Sequence, residues 1–115
     1  MTWSDLQAFL SGKRFLIGLT FLDQEEQVLE KYQTHGTVDV LTDEGVFHFI
    51  REDGSLFKMP YDPETILKPP PGDYREHSTG KVIKDPDFIM SWEIVVPAGQ
   101  TFEEVKQVGF VAPSV

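Results

Sequence analysis

The sequence predicts a mainly-β protein with a short helix at each end, built as a small, strongly bent antiparallel sheet or a five-stranded barrel. Three observations predict this. Two tight-turn signals, Thr42-Asp43-Glu44-Gly45 and Glu52-Asp53-Gly54-Ser55, separate short runs rich in Phe, Val and Ile. The run Arg14 to Leu22, RFLIGLTFL, is apolar on both alternating sets, as in a strand covered on both faces. Phe88 to Val96, FIMSWEIVV, alternates with one strongly apolar face.

Each element has its own local reason. In residues 2–11, Trp3, Leu6, Phe9 and Leu10 recur at helical spacing, Thr2 or Ser4 can cap the start, and Gly12 suits the stop. The strand 14–22 follows, and the helix is a natural cover for one of its faces. Asp23 to Gln27 is a polar turn. Val28 to Thr42 reads as one long strand, with Gly36 as its bulge or bend. Val46 to Arg51 and Leu56 to Met59 are short strands, so residues 14–59 form a meander in which each strand pairs with its sequence neighbour. Asp62 can cap a single helical turn with Pro63 in first position. Residues 60–87 otherwise read as turn and long loop, residues 88–96 as the closing strand. Thr101 and Glu104 have capping-box spacing for a short helix over 101–109, with Phe102, Val105 and Val108 inward. A long bent strand, two hairpins, one helical turn and a closing strand resemble the strand order of SH3-like barrels. That likeness carries no function with it.

The stretch Lys68 to Lys81, KPPPGDYREHSTGK, is a spacer first. Three prolines cannot donate ladder hydrogen bonds and favour a stiff extended path. Its Lys68, Arg75, Lys81 and Lys84 outnumber Asp73 and Glu76, so residues 68–84 are locally basic on an acidic body.

A chain of 115 residues reads as one domain over 1–115. Hydrophobic residues make up 40% and charged residues 25%, the balance of a chain that can bury a core. The absence of cysteine excludes disulfides, thiolate metal sites and a cysteine nucleophile. No signal peptide or membrane span is apparent, which predicts a cytoplasmic protein. The net charge of −9 argues against nucleic acid and anionic membrane as partners.

The three histidines lack the spacing that places two ligands on one metal, and no cofactor motif is present. Tyr74, Arg75, His77 and Ser78, with Asp73 or Glu76, are the residues from which a small enzyme could work. His77 and Ser78 are chain neighbours, an awkward arrangement for base and nucleophile. The charge pattern points elsewhere. Alternate turns of a meander fall at the same end. Asp23, Glu25 and Glu26 are therefore expected to meet Glu52 and Asp53, while Asp43, Glu44, Asp62 and Glu64 gather at the other end. The resulting expectation is a small acidic, non-enzymatic, bacterial interaction protein resembling an immunity or antitoxin-type inhibitor. Its partner is a protein with a basic surface. Tyr74, Arg75 and His77 are the secondary contacts. The alternative is a peptide-binding barrel using Trp3, Tyr32, Tyr61 and Tyr74.

Overall fold

A computed structural model describes residues 2–95 and 101–110. The predicted strand end at Val96, the Pro97–Gln100 break and the 111–115 tail lie outside the described residues.

Helix α1 (Trp3–Leu10) starts on a full capping box. Thr2 Oγ1 accepts from the Asp5 amide and Asp5 accepts from the Thr2 amide, both at 3.1 Å. Leu10 is buried, Leu6 is half-buried, and Trp3 and Phe9 are exposed. Strands β1 (Arg14–Leu22), β2 (Val28–Leu41), β3 (Val46–Ile50) and β4 (Leu56–Pro60) form the expected meander of antiparallel neighbours. A 3-10 turn (Pro63–Thr65), β5 (Ile66–Leu67), β6 (Asp73–Arg75), β7 (Val82–Lys84), β8 (Phe88–Val95) and α2 (Phe102–Val108) complete the described residues.

The sheet order is β4-β3-β2-β1-β8-β5, and β8 runs parallel to β1 from the Phe15–Phe88 pair to the Leu22–Val95 pair. This corrects the all-antiparallel expectation, and the described strands form a mixed open sheet with no closed barrel. Hairpins force antiparallel pairing, but the 61–87 connection is no hairpin. It is long enough to return the chain to the starting end of β1, so β8 enters beside β1 in the same direction. Nor is that connection only turn and loop. It contains β5 and a separate hairpin, β6 with β7.

β2 is strongly bent. Its first part pairs with β1 as far as Thr37, and its last part pairs with β3 from Thr37 on, with a register shift between Val38 and Val40. Gly36 is therefore not the bulge. A Cβ there would sit 3.1 Å from both the Ile50 carbonyl oxygen and the Phe49 Cβ, so Gly36 lets two backbones approach.

The core lies on one face. Phe15 stands 5.4 Å from Phe47 and 5.2 Å from Phe49, and Phe21, Phe57, Met59, Met90 and Ile94 are also buried. α2 is capped by Thr101 as expected and buries Val105. Val108 is 60% exposed, against expectation. Steps of three on a helix of 3.6 residues per turn drift, and the third member has moved by roughly 120° off the face. Beyond α2, the Phe110 amide donates to the Lys58 carbonyl at 2.7 Å, covering the β4 edge.

Candidate functional site

The two acidic turns expected to meet are held apart by register. The turn carrying Glu52 and Asp53 follows Ile50, which pairs with Thr37 of β2. The turn carrying Asp23, Glu25 and Glu26 lies beyond Val28 of the same strand. The stretch between Val28 and Thr37 amounts to roughly 30 Å of extended strand. Asp23 secures its own turn, accepting from the Glu25 and Gln27 amides at 2.9 Å, while Glu25 and Glu26 are exposed.

Glu52 and Asp53 meet different partners. Lys81 pairs with Glu52, and His35 Nε2 lies 3.3 Å from the same carboxylate. The Lys81 bond holds the Glu52 carboxyl below its ordinary range, with desolvation opposing. Asp53 is likewise lowered, first by the Ser55 hydroxyl, which donates to it at 2.6 Å. His35 Nδ1 reaches Glu76 Oε2 at 2.5 Å, and Glu76 is only 3% exposed. Thr79 donates to the second Glu76 oxygen at 2.9 Å.

This network clamps the β6–β7 hairpin against β2. The His77 amide donates to Gln33 Oε1 at 2.6 Å, and the Gln33 amide donates to Ser78 Oγ at 2.8 Å. Tyr74 donates its hydroxyl proton to the Pro70 carbonyl at 2.6 Å. Arg75 and the His77 ring are exposed. The pairing of His35 with Glu76 is what sequence reasoning missed, because the two lie 41 residues apart and no local pattern joins them.

The other acidic group does assemble. Gln7 of α1 donates to the Leu41 carbonyl at 2.7 Å and to Asp43 at 3.0 Å, docking the helix on the β2–β3 turn. The Tyr61 amide donates to the Gly45 carbonyl at 2.8 Å, which brings the 61–65 segment to the same place. Trp3 and Tyr61 meet edge to face at 5.4 Å. Asp5, Asp43, Glu44, Asp62 and Glu64 thus share one end of the molecule. Segments 2–9, 42–46 and 59–65, which build it, contain no Lys or Arg. Among the described residues none of the five has an ion-pair partner. Asp5 was not singled out in the sequence; it is the N3 residue of the α1 capping box.

Of the aromatic groups suggested for peptide binding, Trp3 and Tyr61 come together here. Tyr32 lies beneath Lys106, 5.5 Å from its ring centre, and Tyr74 is tied to the hairpin. Among the described residues no helix is long and apolar enough to cross a membrane.

No family model, curated protein or solved structure matches this chain.

Proposed function

We propose that the chain is a small acidic, non-enzymatic protein-interaction domain whose docking surface is the acidic–aromatic end. The observation that carries this reading is the convergence of five carboxylates, without ion-pair partners among the described residues, with Trp3 and Tyr61 in segments without a single cation. The partner is a protein with a basic surface. In its most specific form the chain is an immunity or antitoxin-type inhibitor. The exposed ring of Trp3 supplies an apolar anchor, and the surrounding charge steers the encounter.

The non-enzymatic part is supported by how the loop residues are spent. His35 faces carboxylates at both nitrogens, Ser78 accepts from a backbone amide, and Tyr74 donates to a carbonyl. These groups hold the hairpin in place. The turn at Glu25 and Glu26 remains as a separate acidic face.

Charge reversal is the test. Asp43, Glu44 and Glu64 are changed together to Lys, leaving the capping carboxylates Asp5 and Asp62 intact, and Trp3→Ala is made separately. Binding of a basic partner is followed by pull-down and native mass measurement at rising salt. The triple reversal abolishes binding, Trp3→Ala weakens it by roughly tenfold or more, and binding to the unaltered chain falls steeply with salt. A triple variant that binds normally, while reversal at Glu25 and Glu26 or at Glu52 and Asp53 abolishes binding, moves the surface elsewhere and overturns this assignment.

A further inference from the structure

A groove of about 730 Å³ opens beside the 61–65 segment, and strand register builds its floor. Lys31 on β2 and Glu93 on β8 are both cross-strand partners of Thr20 on β1. Gln33 and Ser91 flank Gly18 in the same way. Directly opposed residues project from one face of a sheet, and neighbouring strands lie about 4.8 Å apart, so Lys31 and Glu93 stand roughly 10 Å apart across the floor. Both are exposed, and neither has an ion-pair partner among the described residues.

The two sides of the groove differ in charge, negative beside Glu93 and positive at Lys31. Asp62 and Glu64 come from the turn that packs on β8, so they add to the Glu93 side. His77 and Ser78, tied to Gln33, rise on the Lys31 side. Between the walls the floor is small. A Cβ built on Gly18 would meet nothing closer than the Met90 carbonyl at 3.9 Å, so the space above it is open. A matching occupant carries a carboxylate at one end, a cationic group at the other, and a slender stem between.

We propose that this groove binds a basic amino-acid unit with a free carboxylate: arginine or lysine, either as the free amino acid or as the last residue of a peptide. The carboxylate lies on Lys31, and the cationic side chain lies against Glu93, Glu64 and Asp62. The stem crosses Gly18. The inference shares Asp62 and Glu64 with the docking reading but is tested apart from it, because it also needs Lys31, Gly18 and Glu93, which lie outside the acidic end.

The test is an amide-resonance titration of the full chain with four probes: L-arginine, the tripeptide Ala-Ala-Arg, the same tripeptide as its C-terminal amide, and agmatine. Millimolar L-arginine or Ala-Ala-Arg moves the resonances of Gly18, Thr20 and Ser91. The amide and agmatine, lacking the carboxylate, bind more weakly by roughly tenfold. Tighter binding of the tripeptide identifies a peptide terminus as the source, and tighter binding of arginine identifies the free amino acid. Lys31→Met reduces the acid to the affinity of the amide. Gly18→Val, which places a branched side chain on the floor, abolishes binding of all four. Equal binding of acid and amide, shifts confined to other residues, or no shift at all overturns the proposal. If Gly18→Val fails to fold, exposed Lys31→Met carries the test alone.

Discussion

Gly36 shows how one hydrogen atom in place of a methyl group can decide a strand crossing. Its sequence signal was legible, since a glycine inside a strand pattern marks something unusual, but the cause was not. The pattern was read as a bulge or bend, and the close approach to Phe49 and Ile50 shows only in the pairing of β2 with both β1 and β3. Gly36→Ala pushes a methyl to 3.1 Å from the Ile50 carbonyl oxygen and the Phe49 Cβ. The expected cost is about 1–3 kcal/mol, as for other overpacked sites. A urea midpoint unchanged from that of the parent chain overturns this account. Glu52 gives a second check at the same scale. Its folded carboxyl lies below the ordinary 4.5, chiefly through Lys81. Its contribution is therefore present above that value and lost as pH falls through the lowered folded value. Because Glu52 is exposed, the stability at stake is small, and the direct readout is its side-chain carboxyl resonance. That titration should turn below 4.5, and should return to the ordinary range in Lys81→Ala. A midpoint at or above 4.5 in the parent chain contradicts the pairing.

Elements were legible where their causes are local. The four strands of the meander and both helix starts follow from turn residues, alternation and caps lying within a few positions of each other. The parallel entry of β8 and the β6–β7 hairpin were not legible, because their causes lie far apart in the chain. The hairpin is short, and it is held by its own ladder, the burial of Ile83, the two bonds to Gln33, the Lys81–Glu52 pair and the contact of Glu76 with His35. Glu76 shows why the last contact matters. A carboxylate that is 3% exposed and stripped of its partner keeps the cost of desolvation without the compensation. His35→Leu is thus expected to cost about 2–3 kcal/mol and to loosen the hairpin in hydrogen exchange. His35→Leu with Glu76→Leu should cost clearly less than the two single changes added together, since no hydrogen-bonding partner of the pair is then left unmatched. Additive costs in that cycle mean the pair is not coupled. α2 is held by the same kind of device: Arg51 donates to the Lys106 carbonyl at 2.8 Å and the Gln107 carbonyl at 2.7 Å. The Lys106 ammonium lies against Glu30, whose buried Oε2 makes no aligned hydrogen bond and is satisfied by that charge. Neither cation was singled out in the sequence, yet they fasten a helix to a sheet.

For the whole molecule, the net charge of −9 was the plainest fact in the sequence, and its distribution was half legible. The rule of alternating turns placed Asp43, Glu44, Asp62 and Glu64 together correctly. It failed for the other acidic turns because β2 outruns both its partners, so two turns at the same nominal end sit on different stretches of one long strand. Charge now acts on the protein in two opposed ways. Within the chain, nine uncompensated negative charges repel one another, and compaction worsens that repulsion. Across an interface, the same charges attract a basic surface. Added salt screens both. Raising sodium chloride from low to physiological concentration and beyond should therefore raise the melting temperature of the free chain by a few degrees, roughly 1 kcal/mol for a domain of this size. Over the same range it should weaken binding of a basic partner. The triple reversal at Asp43, Glu44 and Glu64 lowers the net negative charge and should flatten the first dependence as well as the second. Thermal scans of parent and variant across a salt series measure this directly. A melting temperature that falls with salt in the parent means ion pairs such as Lys81–Glu52 outweigh the repulsion. The acidic end would then be no reservoir of electrostatic strain for a partner to relieve.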